Sequence, residues 1–455
     1  FLLFSHAPFP AMISPSRFHA LQNLERVENT DAYVGRLQTD EEDQRERRQA
    51  RELVSGVTRW RRRLDFILSE FYNGDFDEME TRLQVILRLG LYEILYQDTP
   101  AHAAADQYVE LAKETVREGA GGLTNGILRT VLRKKNEMPT PRTGDRADDL
   151  AVRHSHPTWM VRRWLDRFGE IDTQALLSWN NQRPLFGVRV NTNRTTTGRV
   201  KEWLDEHDVT WTPSPYLDDV LRVRRLQSVI HGPLLNEGHV AIQDESAGLV
   251  VRCLDPQPGE TVFDLCAAPG GKAIYAAQRM NGEGRVIAFD IHEGRLGLVG
   301  EAAETHGFGD LIWRQAADAR DLAGREDLPE ADRVLLDAPC SGLGVLSKRA
   351  DLRWQRNESD MEALTQLQAE LLEAAAPLIR PGGLLVYSTC TIEPEENEAR
   401  VNAFLAAHPE FEREPVDGYV SADLVTEAGD FASLPHRDAI DGAYAARLRR
   451  TERPA

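Results

Sequence analysis

Cysteine is scarce in this 455-residue chain: Cys253, Cys266, Cys340 and Cys390 are the four, and no two are spaced as C-x-x-C. Four thiols at this length exclude a disulfide scaffold and offer no metal-ligand pattern, so no metal is expected. The reducing cytoplasm is the expected compartment, where each thiol needs a reason in packing or in chemistry. Long apolar runs are missing too. None approaches the ~18–20 residues that cross a bilayer, which excludes a membrane-spanning reading. Lysine is rare, six of 54 basic residues, and the basic residues are outnumbered by 73 acidic ones for a formal charge of −19. An acidic average argues against a polyanion partner, but what binds a polyanion is a local basic cluster. The arginine bias fits GC-rich coding or adaptation to salt, and neither bears on the fold. Residues 1–12 are apolar without a basic n-region, so no signal peptide is read there. The expectation is an extension ahead of a start at Met12.

What is present falls into three blocks, in keeping with ~100–200 residues per domain. In the first, over 12–138, apolar residues recur at helical spacing. Leu53, Val57, Trp60, Leu64 and Ile67 lie on one helix read over 42–68, and Leu83, Leu87, Leu91, Ile94 and Leu95 on a second. Pro100 opens a third through Val109, Leu111 and Ala112. A fourth, over 123–132, ends in Arg133, Lys134 and Lys135. No strand signal intervenes, so the block is all-α. On its first helix Arg59, Arg61, Arg62 and Arg63 are either RNA phosphate contacts or a solvated face ion-paired to Glu52 and Asp65. Residues 136–149 are polar, with Pro139, Pro141 and Gly144, and read as a linker. The second block, 150–240, joins a helix bearing Trp159, Val161 and Trp164 to a short strand at 188–191, a small α+β domain. The third, 241–455, alternates apolar runs of strand length (262–265, 286–290, 334–337, 384–388) with helices. Such alternation means βαβ units and a mostly parallel α/β sheet covered on both faces.

The chemistry-bearing residues follow those strands. The first strand runs into Asp264, Leu265, Cys266, Ala267, Ala268, Pro269, Gly270, Gly271 and Lys272. Small residues at a strand-to-helix turn let a ligand approach the backbone at the positive end of the helix. The pattern is neither a P-loop nor G-x-G-x-x-G. Asp290 ends the second strand, where a carboxylate is either a ribose acceptor or a surface residue. Asp318 follows a third run at 311–315 and taken alone reads as a cap. The next strand ends in Asp337-Ala338-Pro339-Cys340-Ser341-Gly342 and the last in Ser388-Thr389-Cys390-Thr391. Two cysteines thus sit at the carboxyl ends of two strands, where open α/β sheets place their active sites. A lone buried cysteine is ordinarily a small core hydrophobe, and Cys253 keeps that reading. A thiolate beside a carboxylate and a cofactor pocket points to covalent catalysis.

Taken together, Asp264–Lys272, Asp337–Gly342 and Ser388–Thr391 resemble the RNA 5-methylcytosine methyltransferases that use S-adenosylmethionine. In the first block, residues 51–57, 87–92 and 124–129 are similar to the helical NusB-like RNA-binding domain. That domain joined to that catalytic domain is the layout of the RsmB (Sun/Fmu) family of 16S ribosomal RNA methyltransferases. The middle block, with Arg189-Val190-Asn191, also resembles that family's intermediate domain. The resemblance implies a Rossmann-like catalytic domain that binds S-adenosylmethionine, with contacts from Cys266, Ala267, Ala268, Pro269, Gly270, Gly271, Lys272, Asp290, Asp318 and Asp337. It implies Cys390 as nucleophile, Cys340 as the thiol that assists release, and Asp337 as a stabilising group. The implied partner is 16S ribosomal RNA of the small subunit, bound by a monomer. One departure is visible: the family usually has Phe-Phe or Phe-Tyr after the late Asp-Gly, where this chain has Ala443-Tyr444, which bears on local packing. The alternatives are the same chemistry on transfer RNA or another ribosomal site, and a non-enzymatic RNA-binding factor. Intact Cys390, Cys340, Asp337 and Gly270-Gly271 speak against the latter. A DNA cytosine methyltransferase would take its nucleophile from the Pro-Cys motif, and its other motifs are absent.

Overall fold

Asp43 opens the longest helix of the chain: its carboxylate accepts the Arg45 N–H at 2.7 Å and satisfies a donor the helix leaves free. The computed structural model describes residues 13–30 and 43–452; the extension read over 1–12 and the helix start at Glu42 lie outside them. The chain divides into two compact units, one of residues up to 181 with Arg349–Gln355, the other of the remainder. The described part of the first contains α1 (Pro15–Asn29), α2 (Gln44–Phe71), α3 (Thr81–Tyr96), α4 (Ala101–Thr115), α5 (Glu118–Arg133), α6 (Arg146–His154) and α7 (Thr158–Asn180). No strand occurs among them, as the periodicity required. Leu53, Val57, Leu64 and Ile67 of α2 pack with Leu83, Leu87, Leu91 and Ile94 of α3 in one core.

Two helices escape the sequence reading. In α1 only Ser16, Ala20, Leu21 and Leu24 are buried, too thin a stripe to stand out. In α6, Asp145 accepts the Ala147 N–H at 2.9 Å, so the stretch read as linker ends there and 146–149 are helical. Arg59, Arg61, Arg62 and Arg63 of α2 are not the wholly solvated face that the sequence offered as one reading. Arg59 is buried. Arg61 pairs with Glu28 at 2.7 Å, and Arg62 with Asp148 at 2.7 Å and the His156 carbonyl at 2.8 Å. Arg63 donates to the Pro139 carbonyl at 2.8 Å. Arg61, Arg62 and Arg63 thus make tertiary connections within this unit. Arg353 belongs to the same unit: fully buried, it donates to the Ser155 carbonyl at 3.0 Å and the Asn181 side chain at 2.9 Å.

The second unit holds two sheets. β1 (Phe186–Val190), β2 (Trp211–Pro213), β3 (Val220–Val223) and β4 (Val240–Ile242) form an antiparallel sheet in the order β2-β3-β1-β4. Buried Arg189 in β1 donates to Gln243 at 2.7 Å and lies over the Tyr275 ring, 4.3 Å from its centroid. The larger sheet comprises β5 (Thr261–Asp264), β6 (Arg285–Asp290), β7 (Ile312–Ala316), β8 (Ala331–Asp337), β9 (Ile379–Thr389), β10 (Phe411–Glu414), β11 (Phe431–Ser433) and β12 (Ala443–Arg450). Its order is β10-β12-β9-β8-β5-β6-β7, with β11 beside β12. β5 to β9 are parallel neighbours, and β12 closes antiparallel onto β9.

The parallel strands read as apolar runs because both faces are covered. Val262, Ala288, Leu335 and Val386 face one core, and Phe263, Phe289, Leu336 and Tyr387 the other. Around Ala443-Tyr444 packing is intact: both are buried, and the Tyr444 hydroxyl donates to Asp430 at 2.5 Å.

The first unit has one ion pair of particular weight. Glu93 of α3 has no exposure; its carboxylate accepts from the Arg17 guanidinium at 2.5 and 3.1 Å and from the Tyr108 hydroxyl at 2.7 Å. Breaking a buried pair leaves an uncompensated charge, at a cost of about 3–5 kcal/mol. Arg17→Met is therefore expected to lower the first thermal transition of the intact chain, and Arg17→Met with Glu93→Leu to recover most of it. Scanning calorimetry of the two variants and the parent measures both.

Candidate active site

Parallel strands present their carboxyl ends along one edge, and the loops leaving β5, β6, β8 and β9 carry the cluster. After β5 the chain turns through Cys266–Gly270 into the helix Gly271–Arg279. The Ala267 N–H donates to the Phe289 carbonyl at 2.8 Å, which ties the turn to β6. Gly270 caps the helix at φ +107°, a left-handed conformation, and a Cβ there would lie 3.2 Å from Val299. Both demands select glycine. Ala267 and Ala268 are buried in the turn, and Arg295 donates to the Ala268 carbonyl at 2.6 Å.

Asp290, at the end of β6, is buried; it accepts the His292 N–H at 2.9 Å and faces Arg295 at 3.5 Å. Asp318 follows β7. Its carboxylate caps Ala319–Asp321 and is engaged by the Arg320 guanidinium at 2.7 Å, so it has the cap geometry its sequence position suggested. Asp264 ends β5 fully enclosed, and neither of its oxygens has a hydrogen-bond partner among the described residues. Burial, followed by the charge of Asp337, pushes its carboxyl up to about 7. The sequence reading began its motif at Asp264 without making it a site residue. The missing signal is tertiary, since only enclosure distinguishes it from any strand-end aspartate.

Asp337 and Ser388 are register partners at the ends of β8 and β9. The Ser388 hydroxyl donates to Asp337 at 2.8 Å, and the Lys272 ammonium at 2.6 Å. Burial works against the Lys272 charge, but Asp337 outweighs it and lifts the ammonium above its ordinary value. Just beyond, the Cys340 and Cys390 sulfurs lie 3.3 Å apart. Their surroundings are unequal. The hydrogen bond with Cys340 holds the Cys390 thiol below the ordinary cysteine range against burial, and Lys272 adds to this. The same bond, then burial, pushes Cys340 well above that range. Cys253 is buried and pushed up to about 12 by burial, as a core thiol should be.

Two further constraints were not legible in the sequence. Gly344 donates its N–H to the Cys390 carbonyl at 3.1 Å, and a Cβ there would lie 2.8 Å from that oxygen. Lys348 bridges two carboxylates, Asp244 and Asp441, the latter at 2.9 Å. Among the described residues no group of three or more His, Cys, Asp or Glu is gathered to hold a metal ion, and no helix is long and apolar enough to cross a membrane.

Comparison with known proteins finds three matching family models along the chain. A family model described as NusB family matches residues 14–133, a Methyltr_RsmF/B-like ferredoxin-like domain matches 156–230, and one described as 16S rRNA methyltransferase RsmB/F matches 251–449. The chain is 34% identical over 441 residues to the probable ribosomal RNA small subunit methyltransferase B of Synechocystis sp., covering 95% of this chain and 98% of that protein. It is 32% identical over 445 residues to the Bacillus subtilis protein of the same description, with the same coverages. A crystal structure titled PH0851 aligns with a TM-score of 0.80 at 26% identity, over 97% of this chain and 99% of that one. A methyltransferase homolog protein from Pyrococcus horikoshii aligns with a TM-score of 0.58 at 26% identity, over 67% and 98%.

The raised carboxyl of Asp264 has a measurable consequence. Folding holds a proton that the unfolded chain releases near pH 4, so its contribution to stability is present below that pH and lost as pH rises through about 7. Asp264→Asn cannot ionise. The variant is expected to gain on the parent between pH 5 and pH 8, by on the order of 2–4 kcal/mol at one unit per 1.36 kcal/mol. Asp441, also raised to about 7, is common to both proteins and cancels in the difference. Denaturant unfolding at the two pH values gives the number.

Proposed function

The chain belongs to the RsmB family of 16S rRNA methyltransferases, and we propose that it methylates carbon 5 of a cytidine in small-subunit ribosomal RNA through a covalent Cys390 adduct. The observation that carries this reading is the pair of thiols at 3.3 Å, set beside Lys272 and Asp337. Methyl transfer to an oxygen or an exocyclic nitrogen needs no thiolate. Carbon 5 of cytosine needs one, because it is a poor nucleophile until a thiolate adds at carbon 6, and the second thiol is then available for the release step.

The cofactor of the family, S-adenosylmethionine, carries an ammonium, a sulfonium and a ribose diol. The residues present suit it: Asp264 offers two unpartnered buried oxygens, Asp290 a strand-end carboxylate, and the turn exposes backbone at Pro269 and Gly271. When bound, it supplies an electrophilic methyl group. Cys266–Lys272 and Asp290 would hold it, with Asp318 a further contact on the strength of the family pattern.

The rest of the chemistry belongs to this chain. Cys390 adds its sulfur to carbon 6, and the displaced electron pair makes carbon 5 enamine-like. Charge develops on ring nitrogen 3, which takes up a proton in exchange for the one the Cys390 thiol gives up, and the resulting N–H donates to the Asp337 carboxylate, itself fixed by Lys272 and Ser388. After carbon 5 has gained its methyl, a base removes the carbon-5 proton, the ring double bond re-forms, the Cys390 sulfur leaves and nitrogen 3 gives its proton back. The Cys340 thiol, kept protonated, is within reach to hydrogen-bond that departing thiolate. The target base has to be unpaired or extruded to reach the site.

Two measurements test this. Cys390→Ala is expected neither to methylate nor to crosslink, whereas Cys340→Ala should accumulate a denaturant-resistant protein–RNA adduct that requires S-adenosylmethionine and Cys390. A denaturing gel with labelled RNA reads the difference; an adduct with Cys390→Ala alone reverses the two roles. Asp290→Ala is expected to weaken S-adenosylmethionine binding by ~1.5–3 kcal/mol, the value of a hydrogen bond to a charged group. Calorimetry gives that number, and an unchanged dissociation constant removes Asp290 from the pocket.

A further inference from the structure

Glu396 is a carboxylate with no exposure at all, in the short turn Pro394–Glu396 that follows Cys390. An ionised carboxylate only accepts hydrogen bonds, and here it accepts three. The Ser341 N–H donates at 2.8 Å, the Ser341 hydroxyl at 2.5 Å and the Gln368 amide at 2.9 Å. The same Gln368 nitrogen donates to the Pro339 carbonyl at 2.9 Å. Glu396 and Gln368 therefore grip the residues on both sides of Cys340. Arg356 completes the hold by donating to the carbonyls of Ser341 at 3.1 Å and Cys340 at 3.3 Å. Glu396 is itself pinned, since the Tyr387 hydroxyl donates to its carbonyl at 2.6 Å. Cys390 is placed by the end of β9, by the Gly344 N–H on its carbonyl and by Asn397, whose amide donates to the Thr391 carbonyl at 3.0 Å; the Ser341 hydroxyl also lies 2.7 Å from that of Thr391.

We propose that Glu396 is a positioning residue that holds Cys340 against the Cys390 sulfur, and that release of the methylated RNA depends on it. This rests on the covalent reading above. At elimination the bond between carbon 6 and the Cys390 sulfur breaks, its electron pair stays on sulfur, and the carbon-5 proton goes to the base. A thiol hydrogen-bonded to the leaving sulfur makes it a better leaving group, and that contact exists only while the 339–341 backbone is held. A displacement of ~1 Å in such a constellation costs about a hundredfold in rate. The Glu396 carboxylate bonds the Cys340 side of the pair, at Ser341, so its loss should bear on release more than on attack by Cys390.

The experiment uses the full chain, transcribed small-subunit ribosomal RNA and labelled S-adenosylmethionine, with Glu396→Ala, Glu396→Gln, Cys340→Ala and the parent. For Glu396→Ala, single-turnover methyl transfer should stay within about threefold of the parent. Multiple turnover should fall by about tenfold or more, with an adduct that disappears in Glu396→Ala/Cys390→Ala. Glu396→Gln can still accept from the Ser341 N–H and donate to its hydroxyl, so it should restore turnover over the alanine variant. A merely structural defect would lower both rates together, and that result in a variant that melts like the parent overturns the proposal. Normal turnover without adduct in Glu396→Ala, while Cys340→Ala accumulates one, overturns the role of Glu396 and leaves the covalent reading standing. No adduct with Cys340→Ala removes the covalent reading, and the proposal with it. If Glu396→Ala does not fold, Ser341→Ala replaces it, because it deletes one of the three donors; adduct accumulation supports the assignment and parent-like turnover overturns it.

Discussion

The parallel pairing of β8 with β9 is the constraint on which the rest of the site depends. Register places Asp337 beside Ser388, so the loops that leave the two strands start at the same height. Each loop carries a cysteine three or two residues on, and the two sulfurs come within 3.3 Å although 50 residues separate them. A slip of one residue would turn Asp337 and Ser388 to opposite faces and part the thiols, because side chains alternate along a strand. The register is held by burial on both faces, by β12 closing the far side of β9, and by β5 on the other side of β8.

Charge is then distributed around that edge. Lys272 neutralises Asp337 and stands near Cys390, which favours a thiolate there over one on Cys340. Asp264 is enclosed, and burial together with the Asp337 charge disfavours its ionised form. Beyond the thiols, Lys348 draws Asp244 and Asp441 together. Burial opposes the Asp244 charge, yet Lys348 holds it below its ordinary range, while burial and Asp244 push Asp441 up. One lysine thus joins the segment after Cys340, the helix start at Glu245 and the Asp441-Gly442 turn.

The first unit answers the question raised by the acidic composition differently from what composition suggested. Its arginines are spent largely on internal connections: Arg17 to Glu93, Arg61 and Arg88 to Glu28, Arg62 to Asp148. Guanidinium suits this use, since its planar fork satisfies several acceptors at once and sheds water more readily than an ammonium does. Arg353 uses backbone carbonyls in the same way. Exposed basic residues persist at the end of α5, at Arg133, Lys134 and Lys135, the cluster the sequence also marked.

The sequence by itself determined the helices α2 to α5 and the strands whose ends carry Asp264, Asp290, Asp337 and Ser388. Those signals are local: apolar periodicity for a half-buried helix, an unbroken apolar run for a strand covered on both faces, small residues where backbone must be approached. The two cysteine motifs were legible for the same reason, as short patterns at strand ends. Tertiary structure alone decided what depends on distant partners. Strand β12, with Arg447 buried against Glu414, reads as polar until β9 and β10 flank it. Glu396 sits in an acidic run that looks like surface, and only the return of the 339–341 loop encloses it. Burial of a polar group is a property of what folds over it, so its role cannot be read from its neighbours in the chain.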